Sequence, residues 1–376
     1  MKVLIAQPYL NLRGGAERVI LEIAKHYDAK VLTMEYIKNS TFPEFQDVDI
    51  EIIGKDVPLA QMLPYRAHQG LTYGYNFYNY KETEDYDIIN SHISPSEWIR
   101  HKNKRVLWYC HTPPREVYDL YTERMKNRST SEKLIYASFT KAYKIISRGV
   151  VTDLEYIATN SKNTRDRIKK YFNRDAAIVS PGIDAGEFRN SEDGKYFLYP
   201  SRIVANKRQD YVINAFNRFV RISGNENYKL VLAGSLSNND EHHEYYKKLI
   251  KMKTRNILFK LNVGDKELKN LYSNATAVLF AAINEDFGIV PLEAMASSKP
   301  IISVNEGGPR ETIVNGITGY TVDSYEEMAD RMKFIVEHPS IAEEMGRQGR
   351  KRIENNFSWK VFFKKFDALA RKVADM

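Results

Sequence analysis

Short apolar runs alternate with amphipathic stretches along the whole chain. In the first half, Lys2–Ala6, Lys30–Thr33, Ile50–Ile53, Asp87–Asn90, Arg105–Tyr109 and Tyr156–Thr159 read as strands. Ala16–Tyr27 carries Val19, Ile20, Ile23 and Ala24 at helical spacing. The second half begins the scheme again, with strands expected at Tyr196–Tyr199, Tyr228–Ala233, Ile257–Lys260, Ala277–Phe280 and Pro300–Ser303. Helices fit Gln209–Val220, Glu244–Met252, Asp265–Ser273, Val290–Ala296, Glu326–Glu337 and Ile341–Asn355. Apolar strands separated by helical segments predict parallel sheets covered on both faces. The polar stretch Ala185–Lys195, with Gly186 and Gly194, is the expected linker. Three segments follow: residues 1–188, residues 189–358, and an amphipathic tail at 359–376.

A length of 376 residues suits two domains of ordinary size, and 43% hydrophobic residues supply a core for each. No apolar run is long enough to cross a bilayer. The start, Met-Lys-Val-Leu-Ile-Ala-Gln-Pro, reads as a strand without a signal peptide's cleavage region. Cys110 is the single cysteine, which leaves no intrachain disulfide and no thiolate metal cluster, so a cytoplasmic enzyme is expected. The net charge of +8 is concentrated: Arg100–Arg174 holds 18 Lys/Arg against 7 Asp/Glu, a net +11. Within it Arg124, Lys126, Arg128, Lys133, Lys141, Lys144 and Arg148 interleave with Leu134, Ile135, Tyr136, Phe139, Tyr143, Ile145 and Ile146. Such a surface can bind anionic lipid headgroups, placing the chain peripherally on the inner face of a membrane, or it can be a solvated helix face. Nucleic acid is not an expected partner, since no zinc-finger or aromatic RNA-binding signature accompanies the charge.

Candidate chemistry gathers at predicted strand ends. Gly14-Gly15 follows the first strand and precedes a helix, where backbone N–H groups can face a phosphate or simply make a turn. Arg202 and Lys207 follow the strand at Tyr196–Tyr199, and cations there point into the crevice where α/β sheets bind ligands. Glu285 and Glu293 stand eight residues apart around a glycine turn, with a helix expected to begin near Pro291 and Glu293 in its first turn. His111 ends a hydrophobic strand, followed by Thr112-Pro113-Pro114. The triplets Asp47-Val48-Asp49 and Asp85-Tyr86-Asp87 have the form of a metal-diphosphate motif, yet each precedes a strand candidate, where acids are common.

The stretch Asn284-Glu-Asp-Phe-Gly-Ile-Val-Pro-Leu-Glu293 resembles the retaining, nucleotide-sugar-dependent glycosyltransferases of family 4. The resemblance extends to Gly14–Arg18, His111–Arg115, Asn160–Lys162, Pro181–Asp184, Ser201–Lys207, Gly307–Glu311 and Asn315–Gly319, in that family's order. It implies the GT-B fold, two facing Rossmann-like doubly wound domains with an interdomain cleft, and a last helix packing back on the first domain. It further implies that Glu285 acts with His111 at the donor sugar, with Asp286, Phe287 and Gly288 beside them. Arg202, Lys207, Gly14, Gly15, Ile289 and Val290 would meet the diphosphate, Glu293 the ribose hydroxyls, Val263 the base, and Arg115 the acceptor. Fixed cations replace a metal in this scheme, so no metal or cofactor is expected. GDP-mannose is the favoured donor and a UDP-sugar the alternative, with a glycan or lipid-linked glycan as acceptor. An epimerase or hydrolase on the same fold, or a non-catalytic binding module, are the competing functions. Gly307, Gly308 and Glu311 are expected to be structural, and Ser298 stands where relatives often carry glycine.

Overall fold

The computed structural model describes residues 1–54, 57, 65–126, 128–237 and 239–376. The strands are β1 Val3–Ala6, β2 Tyr9–Leu10, β3 Lys30–Thr33, β4 Glu35–Tyr36, β5 Ile50–Ile52, β6 Ile88–Ser91, β7 Val106–Cys110, β8 Tyr156–Thr159 and β9 Ala177–Ile178, then β10 Tyr196–Pro200, β11 Lys229–Gly234, β12 Ile257–Leu261, β13 Ala277–Phe280, β14 Ile301–Val304 and β15 Gly319–Val322. The helices are α1 Gly15–Tyr27, α2 Tyr65–Asn79, α3 Tyr121–Lys126, α4 Thr130–Asp153, α5 Lys162–Phe172, α6 Gln209–Ser223 and α7 Asp240–Met252, then α8 Asp265–Asn274, α9 Ile289–Ala296, α10 Pro309–Thr312, α11 Tyr325–Glu337, α12 Pro339–Asn356 and α13 Trp359–Ala374.

Two compact units result: Met1–Ser180 together with Phe363–Met376, and Pro181–Phe362. In the first, a seven-stranded parallel sheet runs β5-β3-β1-β6-β7-β8-β9. Its central strands β1, β6 and β7 are buried along their whole length, as in a parallel sheet covered on both faces, and Leu4, Ile5, Ile88, Val106 and Trp108 are almost fully buried. α1 turns Val19, Ile20 and Ile23 inward and stops at Asp28, whose left-handed conformation lets its N–H reach the carbonyl of Ala24. α4 starts with a reciprocal capping box between Ser129 and Glu132. The tail returns to this unit, where Asp367 accepts from the Tyr27 hydroxyl at 2.5 Å.

The second unit repeats the plan with six parallel strands in the order β12-β11-β10-β13-β14-β15. Its core joins Phe197, Tyr199, Phe216, Phe219, Leu279 and Met295. The stretch expected as a linker is instead tied to this unit: Ser191 and Gly194 donate backbone bonds to Ser273 and Asn274, and Phe188 is buried. Just past α9 and its cap Ser297, Ser298 has a φ of +53°, the left-handed conformation glycine adopts without strain, so the serine is accommodated there at a cost.

Candidate active site

In the second unit the strand order reverses between β10 and β13. Loops leaving two such strands diverge and open a crevice at their carboxyl ends. The loop after β10 carries Arg202 and then Lys207, the last residue of a single 3-10 turn, Ala205–Lys207. The loop after β13 carries Glu285. Lys207 Nζ donates to Glu285 Oε2 at 2.6 Å, with the two side chains 14% and 29% exposed. The loops are also tied by main chain, Ile283 N–H donating to the Asn206 carbonyl at 2.9 Å. The buried Tyr199 hydroxyl donates to the Lys207 carbonyl. Arg202 is exposed and makes no ion pair among the described residues, so its charge is not brought onto Glu285.

The segment between Glu285 and α9 is built from unusual backbone. Asn284 and Gly288 have φ of +41° and +82°. A β-carbon on Gly307 would stand 2.3 Å from the Glu285 carbonyl oxygen, and one on Gly308 2.5 Å from Phe287 Cα. Only glycines fit there, and Gly308 N–H also donates to the Glu285 carbonyl at 2.8 Å. Arg208 holds Glu306 through two bonds of 2.8 and 3.0 Å, and Glu306 accepts from Asn284 N–H at 3.3 Å. Neither Arg208 nor Glu306 was singled out by sequence; each adjoins a motif residue, Lys207 and Gly307, and that adjacency was the available signal.

α9 opens at Ile289 with Gly288 as its cap, so the N–H groups of Ile289 and Val290 are among the unpaired donors of a helix start. Pro291 is therefore the third helical residue, and Glu293 lies in the second turn rather than the first. Glu293 accepts from the Tyr272 hydroxyl at 2.5 Å. Burial and that carboxylate push the tyrosine well above its ordinary range. The Phe287 ring is buried, 6.1 Å from that of Phe357, which leaves its main chain for any ligand. Asp286 is half-buried, and Val263 is half-buried in the loop between β12 and α8, against the core.

The first unit has its own reversal, between β1 and β6. Gly14 caps α1 and Gly15 begins it, as the motif predicted. Glu17 is already there: it is buried, and its Oε2 lies 2.6 Å from where a β-carbon on Gly14 would be. An acid at that helix start competes with a phosphate for the same N–H groups.

His111, beyond β7, joins a chain of buried polar groups. Asn90 Nδ2 donates to the Leu107 carbonyl at 3.0 Å, which leaves Asn90 Oδ1 to accept from His92 Nε2 at 2.9 Å. His92 Nδ1 then carries the lone pair, and the 3.0 Å contact with His111 is a bond donated by His111 Nε2. Burial holds both rings below the ordinary histidine range, His111 at about 3. His111 is thereby a neutral ring with its lone pair on Nδ1. Its carbonyl accepts from Asn160 Nδ2 at 2.8 Å. Asn90 and His92 went unnoticed in the sequence, although β6 and β7 are adjacent and both histidines follow their carboxyl ends. Arg115 is engaged with Asp119 at 3.5 Å, beside Arg167, which also pairs with Asp119 and donates to Thr112 Oγ1 at 3.3 Å.

The Asp-x-Asp triplets lie elsewhere. Asp87 accepts from Lys2 N–H at 2.6 Å, at the amino end of the sheet, and the Asp85 side chain is 99% exposed. Asp49 immediately precedes β5, also at an amino end. Among the described residues no group of three or more His, Cys, Asp or Glu side chains gathers into a metal site. No described helix is long and apolar enough to cross a membrane.

Comparison with known proteins matches residues 13–187 to the model of Glycosyltransferase Family 4 and residues 183–352 to that of Glycosyl transferases group 1. The alpha-1,3/1,6-mannosyltransferase ALG2 of Mus musculus is 26% identical over 400 residues, covering 96% of this chain and 93% of that one. Among solved structures, HepE of Anabaena in complex with UDP-glucose superposes with a TM-score of 0.72 at 16% identity, covering 99% of this chain and all of its own. Sucrose-phosphate synthase of Thermosynechococcus elongatus gives 0.77 at 17% identity, covering 99% of each chain.

Proposed function

Because the chain belongs to the family 4 glycosyltransferases, with two parallel-sheet units of the GT-B type, we propose that it is a retaining mannosyltransferase using GDP-mannose. The observation that carries the donor site is the Lys207–Glu285 pair at the strand-order reversal of the second unit. The choice of mannose rests on similarity to the ALG2 mannosyltransferases along nearly the whole chain.

In this scheme the donor diphosphate lies against Lys207, Arg202 and the free N–H groups of Ile289 and Val290. As the glycosidic bond breaks, the leaving phosphate gains negative charge, and fixed cations stabilise that state more than the ground state. Glu285 hydrogen-bonds the sugar hydroxyls and steadies the positive charge that develops on the ring. Burial keeps the imidazole of His111 neutral. Glu293 takes the ribose hydroxyls, exchanging its bond from Tyr272 for them or sharing it. The base rests by Val263, held by main chain. The leaving phosphate accepts the proton of the attacking hydroxyl, so no covalent enzyme intermediate forms and no metal is required. Arg115 assists the acceptor, a glycan or lipid-linked glycan met at an anionic membrane surface. Glu17 occupies part of the helix start at Gly14 and Gly15, which weakens their reading as a phosphate turn.

The test is calorimetric titration of the purified chain with GDP, UDP and ADP, with and without a chelator. Selective GDP binding that resists chelation and weakens in Lys207→Ala is the expected result. A single charge-assisted hydrogen bond is worth about 1.5–3 kcal/mol, so the loss is on the order of tenfold to hundredfold. Preference for UDP, the nucleotide seen with HepE, would replace the mannose assignment. Chelator-sensitive binding would replace the metal-free mechanism, and binding of none would remove the donor site.

A further inference from the structure

Both faces of α4 carry apolar side chains. One face packs inward through Tyr143, Val150 and Val151. On the outward side Leu134, Ile135, Ile145 and Ile146 are 71%, 48%, 64% and 39% exposed. Eleven residues separate Leu134 from Ile145 and Ile135 from Ile146, which is about three helical turns, so each pair recurs on one stripe about 16 Å long. Single exposed aliphatics are ordinary, but a stripe on a helix already anchored by its other face calls for a partner.

A cavity of about 410 Å³ opens beside this stripe, lined by Tyr121, Thr140, Lys141, Lys144, Ile145 and Arg148. Ile145 belongs to both. The lining has three cations and no carboxylate. Lys144 lies over the rings of Tyr118 and Tyr121 at 5.3 and 5.0 Å, and Arg148 Nε donates to the Tyr171 carbonyl at 3.2 Å. Neither these two nor Lys141 forms an ion pair among the described residues. Burial, and then the Arg148 charge, hold Lys144 below the ordinary lysine range, as expected for a cation that lacks a counter-ion. Thr140 is 2% exposed, and its hydroxyl has no hydrogen-bond partner among the described residues. A buried hydroxyl without a partner costs about 1–3 kcal/mol.

We propose that this cavity is a phosphate-headgroup site for anionic phospholipid, with the outward stripe of α4 resting among the acyl chains. Lys141, Lys144 and Arg148 neutralise the phosphate, and the Thr140 hydroxyl donates to one of its oxygens. A free phosphate would use the same cations but gives the aliphatic stripe nothing to cover it. Single-stranded nucleic acid would need open aromatic faces for its bases, whereas Tyr121 and Tyr136 stack on one another at 5.6 Å. The proposal deepens the lipid-linked acceptor reading and rests on it only for the benefit of working at a bilayer.

The experiment is co-sedimentation of the full chain with phosphatidylcholine vesicles, with and without phosphatidylglycerol. Two paired variants are compared, Lys144→Gln with Arg148→Gln, and Leu134→Ser with Ile145→Ser. Each cation near an anionic surface is worth about 1 kcal/mol, so the charge variant should bind phosphatidylglycerol vesicles roughly tenfold or more weakly. The apolar variant should also bind weakly, and wild type should prefer the anionic vesicles. Equal binding to both vesicles, or no change in the charge variant, overturns the proposal. So does an unaffected apolar variant with saturable binding of inorganic phosphate, which means a free-anion site, or displacement of vesicles by polyuridylate, which means nucleic acid. GDP titration of the same variants keeps the two readings apart. Vesicle binding without GDP binding removes the donor assignment alone, and the reverse removes this one.

Discussion

The buried pair His92–His111 makes a quantitative prediction about acid stability. In the unfolded chain each ring titrates near 6.5, whereas in the folded chain burial holds His111 at about 3 and His92 well below its ordinary value. Above about pH 7.5 both states are neutral and the pair has no effect. As pH falls through 6.5 the unfolded state takes up protons that the folded state refuses, so stability is lost progressively until pH approaches 3. By linkage each ring costs about 2 kcal/mol at pH 5, and the pair about 4 kcal/mol. Glu97 works in the opposite direction in the same window, because burial raises its carboxyl to about 7. The rings are therefore isolated by subtraction, comparing the parent with His92→Gln/His111→Gln, which retains Glu97. Urea unfolding followed by tryptophan emission reads the first unit through buried Trp98 and Trp108, in a Trp359→Phe background that silences the second. Between pH 7.5 and pH 5 the parent should lose about 4 kcal/mol more than the variant. Curves parallel to within about 1 kcal/mol would refute the neutral, tautomer-fixed pair.

Other expectations follow from single residues. Glu97→Gln removes a carboxyl whose folded value is raised, a cost absent below about pH 4.5 that grows as the ionised form becomes the unfolded state's preference; the variant's advantage should rise by about 3 kcal/mol between pH 4 and pH 7 in the same assay, and a flat difference would count against the shift. Ser298→Gly relieves a left-handed backbone worth about 1–2 kcal/mol and adds about 0.5–1 kcal/mol of unfolded-state freedom, so the second unit should gain about 0.5–1 kcal/mol in urea unfolding. A loss instead would show that the serine hydroxyl contributes. Gly307→Ala drives a methyl into the Glu285 carbonyl, and GDP affinity should fall at least tenfold while circular dichroism keeps its helical signal; unchanged affinity would mean the Glu285 loop does not position the donor.

Long periodic segments were legible in sequence because burial on both faces writes itself as uninterrupted apolar runs. β8 and β13 fall at the bounds those runs suggest. β9 has two residues at a sheet edge, and β15, Gly-Tyr-Thr-Val, follows a glycine-rich turn that masks it; neither was foreseen. Ala185–Lys195 misled for a related reason, since polarity suggests a linker whether or not its main chain is bound to a neighbour. The residues singled out in sequence were those with a chemical signature of their own: Lys207, Glu285, Glu293 and His111. Missed were the residues defined by partners: Glu306 under Asn284, Tyr272 on Glu293, and His92 behind His111. Pairing across strands is a property of register, which a linear pattern does not contain.

Strand adjacency also explains which motif residues meet. Lys207 and Glu285 are far apart in sequence but follow neighbouring strands, β10 and β13, and the Ile283–Asn206 main-chain bond ties their two loops together. His92 and His111 meet because each follows the carboxyl end of one of two paired strands, β6 and β7. Glu293, by contrast, is carried along α9 to the Tyr272 hydroxyl. The two carboxylates eight residues apart are thus separated by the fold into different environments, one on a lysine and one on a tyrosine. Different environments permit different tasks. A carboxylate 2.6 Å from an ammonium offsets much of its charge. On the proposed reading an arriving diphosphate shares Lys207 with Glu285, and Arg202, exposed and without an ion pair among the described residues, supplies the additional positive charge that favours sharing. Removal of Arg202 should therefore weaken GDP binding, and titration of Arg202→Gln measures it; an affinity equal to the parent's would mean that Lys207 alone carries the phosphate.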